Sequence, residues 1–461
     1  MGYPGRLSVG GRRCAQRSLA HLRQMFGGWV ELPEDFGSPA RDRIFTPHRT
    51  FWLFLSQILD ENGCCREALR RFQAWLHLEE GRTISPSTAG YCTARGRLRL
   101  PDIQQASGRV ADKMERLSAG LWCGRRVKVV DGTGLSMPDT PNNQEAWPQP
   151  KGITSGCGFP LMRAVVLFSL ASGAILDLAH GAKTVAERTL ARRLWGLLAP
   201  GDVLLGDRGF CGFADFYHLS LLGVDCVTRK HSRRKNACVL KRLGRGDRIV
   251  AWKKSGPCPK WMDAADWRAM PDFLVIREVE VSVSNPGFRT QTLFVVTTLL
   301  DPQTYPASSL SGLYLRRWRA ELFLRDIKVT LGIDVLRCLS REMIEKELWM
   351  AVTAYNLIRA LMLESARLSD SAIERMSFAG TVAAICQWSP VLALPHLTRE
   401  KRRALYESMI ESIARDKLPD RPGRREPRAK KRRPKNYQLL NSPRRLFREK
   451  YHWKKCKIAL T

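Results

Sequence analysis

The sequence lacks an apolar run long enough to cross a membrane. Its longest such run, residues 164–176, is bounded by Arg163 and Asp177 and is shorter than the ~20 residues that a spanning helix needs. The glycine-rich N-terminus carries arginines but no hydrophobic segment, so it does not resemble a secretory signal peptide. We therefore predict no membrane association and a cytoplasmic location.

Paired metal-binding cysteines and clustered histidines are also lacking. The 13 cysteines include no C-x-x-C pair, and the 8 histidines are isolated from one another. These absences exclude a zinc ribbon or finger and argue against a metal site built on histidine. An odd number of cysteines without a secretory signal indicates reduced thiols.

Acidic residues are outnumbered by basic ones. The chain of 461 residues has 76 Lys and Arg against 44 Asp and Glu, a net charge of +32 at pH 7. A surplus of this size indicates a polyanionic partner, of which nucleic acid is the first candidate. The most basic stretch lies beyond residue 399 and includes Lys430, Lys431, Arg432 and Arg433.

The spacing of apolar residues divides the chain into segments of different character. In order we predict a helical N-terminal DNA-binding domain (1–120), the first part of an α/β domain (121–230), a β-rich insertion (231–304), the second part of the α/β domain (305–380) and a basic, helical C-terminal region (381–461).

The first segment contains a pattern that resembles a helix-turn-helix. Residues 65–77 predict one helix, and a second helix would carry Tyr91, Arg95 and Arg97. In such a motif the second helix lies in the major groove of DNA. A plain helical hairpin gives the same pattern, so both interpretations stay open.

The second segment predicts a mixed sheet. The predicted elements are strands 126–130, 161–170 and 174–178, a helix over 184–198, a strand at 203–205, a helix over 213–222 and a strand at 225–228. This order is typical of an α/β layer. In the insertion, strand-like runs occupy residues 249–253, 273–283 and 291–300.

Two aspartates follow predicted strands of this sheet. Asp131 closes the first strand and Asp207 closes the strand at 203–205. Carboxylates at the ends of adjacent strands meet at one edge of a sheet, and Mg²⁺ prefers such oxygen ligands together with substrate phosphate. A phosphoryl-transfer site is one interpretation. Ordinary turn formation by aspartate is the other.

The helix after the insertion carries a polar face. If the helix is continuous, its polar residues fall within a ~60° sector. These residues are Tyr314, Arg317, Glu321 and Lys328. Arginine and lysine suit phosphate oxygens and glutamate suits a metal, although Arg317–Glu321 pairing on a solvated face is equally consistent with the spacing.

An apolar stripe adjoins this polar face on the same predicted helix. Its members are Leu315, Trp318 and Leu322. A stripe of apolar residues at helical spacing normally faces the core. We therefore predict that Trp318 packs in the core.

These residues form a family pattern. The spacing Y-x2-R-x3-E-x6-K at residues 314–328 resembles the signature of bacterial insertion-sequence transposases of the DDE class, of the insertion-sequence-four type. The blocks VVDGTG around Asp131 and LLGDRGF around Asp207 are similar to the two aspartate motifs of that family. The resemblance spans about residues 49–445.

The resemblance implies a ribonuclease-H-like mixed-sheet catalytic domain, of class α/β, interrupted by the β-rich insertion. The implied catalytic and metal-binding triad is Asp131, Asp207 and Glu321. This triad would hold two Mg²⁺ ions, for which Mn²⁺ would substitute. The implied DNA contacts are Tyr314, Arg317 and Lys328 near the cleavage point, and Lys430, Lys431, Arg432 and Arg433 in the tail.

The implied function is DNA transposition. The protein would excise and insert an insertion sequence by Mg²⁺-dependent hydrolysis and strand transfer at transposon ends. Its partners would be terminal inverted repeats, target DNA and a second copy in a synaptic homodimer, in a bacterial cytoplasm beside the nucleoid. A metal-dependent endonuclease on the same fold and an inactive DNA-binding derivative are the alternatives, and the intact triad disfavours the second.

Overall fold

A computed structural model describes residues 19–32, 36, 43–60, 63–232, 234, 237–283, 291–394, 396–419, 442–443 and 446. The basic tail residues Lys430, Lys431, Arg432 and Arg433 lie outside the described residues. The chain forms two compact units. The helical unit comprises the chain up to Ser118 with Arg325–Ile333 and Ser340–Pro419, and the sheet unit comprises Ala119–Leu324, Asp334–Leu339 and the remainder.

The α-helices are α1 (Leu19–Phe26), α2 (Pro47–Ile58), α3 (Cys65–Glu80), α4 (Ala89–Arg97), α5 (Leu100–Leu117), α6 (Pro141–Ala146), α7 (Glu187–Arg192), α8 (Phe213–Leu221), α9 (Ala264–Ala269), α10 (Ala307–Arg316), α11 (Trp318–Arg325), α12 (Arg341–Leu368), α13 (Phe378–Leu392) and α14 (Arg399–Arg415). The strands are β1 (Val127–Ser136), β2 (Leu161–Ser169), β3 (Ile175–Ala182), β4 (Val203–Gly206), β5 (Asp225–Arg229), β6 (Cys238–Gly244), β7 (Asp247–Lys253), β8 (Phe273–Val283) and β9 (Gln291–Thr297).

The helical unit is organised around α12. This helix is buried along most of its length, from Ile344 to Ala366, and it packs against α2, α5 and α14. A helix that is apolar on all sides is stable only when its neighbours cover it. The prediction that the first 120 residues are mainly helical is confirmed for those that the structure describes.

Two of the residues that the helix-turn-helix interpretation places on the second helix, Tyr91 and Arg95, are buried, whereas Arg97 is exposed. Arg95 on α4 is buried, and its guanidinium donates to Gln57 at 3.4 Å and lies over the ring of Phe54 at 4.9 Å. Tyr91 is also buried and donates to the same Gln57 oxygen at 2.8 Å. Both side chains therefore hold α4 against α2, and neither is available to a groove of DNA.

The sheet unit contains one sheet of nine strands in the order β3-β2-β1-β4-β5-β9-β8-β7-β6. Strand β4 pairs in parallel with β1 and β5, and the other neighbours are antiparallel. The mixed α/β sheet expected of a ribonuclease-H-like domain is therefore confirmed. Strands β6 to β9 extend the same sheet, and the five-segment domain division stays a proposal.

Two predicted elements differ from the structure. Strand β1 does not end at Asp131 but continues to Ser136, because β2 pairs with it as far as Ser136↔Leu161. The predicted helix over 184–198 is reduced to α7 and a 3-10 turn at Trp195–Leu197. The hairpin between β2 and β3, the strand β4 and the helix α8 lie where they were predicted.

The predicted strands of the β-rich segment are confirmed as β7, β8 and β9, but β6 was missed. All of its residues except Leu243 are exposed. A strand without a buried face shows no alternation of apolar and polar residues, and that alternation is the signal by which a strand is predicted.

A hydrophobic core lies on one face of the sheet. It joins Val130 of β1 and Val165 of β2 to Trp252 of β7 and Ile276 of β8. The ring of Trp252 stacks on Phe216 of α8 with centroids 5.6 Å apart. The described strands of the β-rich segment therefore share one core with the strands at the other end of the sheet.

A buried ion pair holds β7, β8 and the chain that leads to α10. The guanidinium of Arg277 is completely buried and donates to both Asp247 oxygens at 2.8 and 2.6 Å. It also donates to the carbonyl oxygens of Tyr305 at 2.7 Å and Asp301 at 3.3 Å. These bonds fix the approach to α10 and α11, the two helices that carry the polar residues.

In the described part of the chain, no helix is both long and apolar enough to span a membrane.

We expect Asp247→Ala to destabilise the sheet unit by about 3–5 kcal/mol, because it leaves the Arg277 charge buried without its partner. Urea denaturation monitored by far-UV circular dichroism measures this loss. Asp272→Ala is the matched control, because the Asp272 side chain is 80% exposed and should change stability by about 0–1 kcal/mol. Equal effects of the two substitutions would contradict the role of the buried pair.

Candidate active site

The register of three parallel strands brings a row of charged residues to one edge of the sheet. Val129 of β1 pairs with Leu205 of β4, which pairs with Val227 of β5. Side chains two residues apart on a strand point to the same face. Asp131, Asp207 and Arg229 each lie two residues beyond these partners, so they are adjacent and share one face.

Asp131 is the most enclosed acid of this edge. Its side chain is 18% exposed and accepts from the Gly132 N–H at 2.8 Å. Burial raises the pKa of Asp131 to about 6, and the charges of Asp207 and Glu321 add to this rise. The Gly132 hydrogen bond and the Arg317 guanidinium oppose it. Arg317 pairs with both Asp131 and Glu321, and the strand register places Asp207 beside Asp131, so the three acids lie near one another.

Asp207 follows β4 and begins a 3-10 turn at Arg208–Phe210. Its carboxylate accepts from the Gly209 N–H at 2.6 Å. A Cβ atom on Gly209 would lie 2.8 Å from Asp207 Oδ1, so the turn that orients this carboxylate has no room for a larger residue. The lack of space at this turn explains why a glycine, Gly209, occupies the second glycine position of the LLGDRGF block.

Arg317 joins the strand edge to the helix that carries Glu321. It lies between the end of α10 and the start of α11. Its Nη2 donates to Glu321 Oε1 at 3.0 Å, and its Nη1 is 3.8 Å from Asp131 Oδ2. The side chain is largely buried, and its Nε has no hydrogen-bond partner among the described residues. One guanidinium therefore partly balances two of the three acids.

Tyr314 lies beside this group on α10. Burial raises the pKa of Tyr314, as does the charge of Asp207, whereas the guanidiniums of Arg317 and Arg229 lower it. Its hydroxyl therefore faces two arginines and one catalytic candidate. The structure brings together Asp131, Asp207, Glu321, Tyr314 and Arg317 of the residues singled out from the sequence.

Arg229 was missed from the sequence. It ends β5 in the same register position in which Asp207 follows β4. The signal was present, because the strand-end argument that selected the two aspartates applies equally to the predicted strand at 225–228.

Lys328 does not extend the polar sector as predicted. The α-helix ends at Arg325, and Lys328 lies in a π-helical turn, Asp326–Thr330, which belongs to the helical unit. A π-turn has a different angular spacing from an α-helix. The ~60° sector therefore ends before this residue, and its predicted DNA contact stays a prediction.

The predicted core packing of Trp318 is wrong. Leu315, Trp318 and Leu322 are 40%, 56% and 48% exposed. The side of α11 that packs on the sheet is the one bearing Phe323, whose ring lies 5.5 Å from that of Phe168 on β2. The apolar stripe consequently faces outward, beside the acids.

The chemistry of the acids suits a hard divalent cation, because all three offer carboxylate oxygens. Among the described residues, no three acidic, histidine or cysteine side chains are placed to hold a metal ion, and Arg317 stands between Asp131 and Glu321. The Glu321 side chain is 48% exposed, so packing does not prevent it from turning toward Asp131. The residues fit the ion by type.

Comparison with known proteins assigns the class. A family model described as "Transposase DDE domain" matches residues 122–357, more than half of the chain. The chain belongs to this family of DNA transposases, whose members cleave and join DNA and generally use divalent metal ions. Membership also establishes DNA as a partner.

One sequence relative agrees with the insertion-sequence-four type. The chain is 29% identical over 328 residues to "Transposase InsG for insertion sequence element IS4" of Escherichia coli strain K12, covering 68% of this chain and 70% of that protein. Among solved structures, it is similar to the "piggyBac transposase synaptic complex with hairpin DNA" at 8% identity and a TM-score of 0.40, covering 87% of this chain and 83% of the other. The resemblance read from the motifs is confirmed by the family and the InsG relative.

The raised pKa of Asp131 predicts a pH-dependent stability in metal-free protein. Because this pKa lies near 6 rather than 3.8, the stabilisation from the protonated group is complete below pH 3.8 and is lost as the pH rises through 6. We expect Asp131→Asn to be more stable than the wild type at pH 8 by about 3 kcal/mol. The difference should vanish at the acid end, near the ordinary pKa of aspartate.

Urea denaturation across this pH range, in the presence of a chelator, measures the effect. Glu187→Gln is the control, because Glu187 lies against Gly132 on the opposite face of β1. A pH-independent difference between wild type and Asp131→Asn would contradict the burial of this carboxyl.

Proposed function

We propose that this transposase excises and inserts an insertion sequence by Mg²⁺-dependent hydrolysis and strand transfer at transposon ends. The observation that supports this most directly is the meeting of Asp131, Asp207 and Glu321 at one sheet edge, with Arg317 between two of them. Guanidiniums bind phosphate oxygens, and carboxylates beside them would hold the divalent ions that a reacting phosphate needs.

Arg229, Arg317 and Tyr314 would position the DNA. Their side chains share the strand edge with Asp207, and arginine binds phosphate oxygens in two-point geometry. When a phosphate binds the Arg317 guanidinium, it replaces Glu321 as the partner of Arg317. Glu321 can then turn toward Asp131. Lys328 would add a further phosphate contact beyond the end of α11.

Asp131, Asp207 and Glu321 would hold two Mg²⁺ ions, or Mn²⁺ in their place. Bound divalent ions supply charge for the attacking and the leaving oxygens of an in-line displacement at phosphorus. The protein residues orient the DNA strand and form no covalent bond with it. The same site therefore serves water in the hydrolytic step and a DNA 3′-hydroxyl in strand transfer.

The partners we propose are the terminal inverted repeats, the target DNA and a second copy of the chain. Two transposon ends have to be processed together, and each needs an active site, which supports a synaptic homodimer. The place of action would be the cytoplasm of a bacterium, where chromosomal DNA is present. A metal-dependent endonuclease is the alternative, and it would cleave ends without joining them to a supercoiled target.

We expect Glu321→Gln and Asp207→Asn each to reduce nicking of transposon-end DNA in Mg²⁺ by at least about 10³-fold, because each removes a carboxylate that would hold the divalent ions. Binding of the end, measured by gel shift, should stay within about threefold, since neutralising an acid does not weaken attraction to phosphate. Glu187→Gln, on the opposite face of β1, should nick normally. A triad variant with wild-type activity would refute the assignment.

The basic tail generates a separate prediction. Changing Lys430, Lys431, Arg432 and Arg433 to glutamine should weaken binding to DNA of any sequence. The slope of log affinity against log salt should fall by up to about 3.6, since each lost phosphate contact removes about 0.9. Fluorescence anisotropy with a labelled duplex at several salt concentrations measures both effects. An unchanged slope would show that the tail does not touch phosphate.

A further inference from the structure

The outermost strand of the sheet carries exposed cations. Strand β6 is an edge strand, and its Lys241 and Arg242 are exposed, as is Arg245 in the turn that follows. Within the described part of the chain, none of these three side chains makes a hydrogen bond or an ion pair. We call these three residues the ribbon cations.

Neighbouring charges on β7 and β8 are paired. Arg248 donates to Glu278 at 2.8 and 3.1 Å, and the buried Asp247 forms an ion pair with Arg277. The one nearby exposed acid is Glu280, which lies against Gly246. The ribbon cations therefore remain as a surplus of positive charge, and a surface of this kind attracts a polyanion.

The turn after β6, which carries Arg245, lies at the catalytic level of the sheet, and Lys241 and Arg242 precede it on the strand. Directly paired residues lead from Arg229 across the neighbouring strands to the end of β6. The line runs through Val295 of β9, Val279 of β8 and Asp247 of β7 to Gly244. The turn at Arg245 therefore lies at the same end of the strands as Asp131 and Asp207, although five strand spacings separate β4 from β6.

The separation matches a length of DNA. Five strand spacings lie between β4 and β6, and at ~4.8 Å each they give about 24 Å. A duplex rises ~3.4 Å per base pair, so this separation corresponds to about seven base pairs. A duplex held at the catalytic edge and running along it would pass the ribbon cations.

We propose that Lys241, Arg242 and Arg245 form a second contact with the DNA backbone, about seven base pairs from the phosphate that is cut. This proposal rests on the proposed function, since it assumes that DNA lies at the Asp131–Asp207 edge. The contact is to phosphate and is independent of sequence. It would hold the duplex in place between the hydrolytic step and strand transfer.

The test replaces the three ribbon cations by glutamine in the full chain. With transposon-end DNA, hydroxyl-radical footprinting should lose protection about seven base pairs from the cut and keep it at the cut itself. The salt slope of binding should fall by up to about 2.7. The far-UV circular dichroism spectrum and the urea midpoint should match those of the wild type, which shows that the variant is folded.

The control removes the same amount of charge from the end of β7 and from the connection between β7 and β8. Lys253, Lys260 and Arg268 are exposed cations at the end of β7 and just beyond it, and their change to glutamine should leave the footprint and salt slope unaltered. An unchanged footprint in the ribbon variant overturns the proposal. The same holds if that variant self-associates while its footprint is normal, because the cations would then only protect an open strand edge. Failure of the wild type to nick at all would instead refute the proposed function.

Discussion

The parallel pairing of β4 with its two neighbours is the constraint on which the site depends. Because β1, β4 and β5 are held in register, Asp131, Asp207 and Arg229 arrive side by side although they are remote in sequence. A shift of one residue in either pairing would send one of these side chains to the opposite face. Backbone hydrogen bonds, more than contacts between the charged groups, place the acids.

The charges at this edge are balanced by a residue from outside the sheet. Burial raises the pKa of Asp131, and repulsion by the two neighbouring acids adds to this rise. Arg317 offsets part of it from the break between α10 and α11. The Arg277–Asp247 pair fixes the chain before α10 through two carbonyl oxygens.

The acids and the class of protein could be predicted because their signals are local. Strand-end aspartates and a spaced helical motif are visible in sequence without knowledge of packing. Other features depend on tertiary context. The exposure of Trp318, the burial of Arg95 and the π-turn at Lys328 follow from which neighbour covers each helix. Strand β6 has no buried face, so nothing in its pattern could reveal it.

The continuity of the nine-stranded sheet has a consequence for how such proteins can be rebuilt. Strand β9 pairs directly with β5, whose last residue is Arg229. If the β-rich segment were excised as a cassette, β5 would become an open border with unsatisfied amide and carbonyl groups next to the catalytic residues. Chimeras between relatives should therefore exchange β5 to β9 as one block, since the segment and the reaction centre share a single hydrogen-bonded surface.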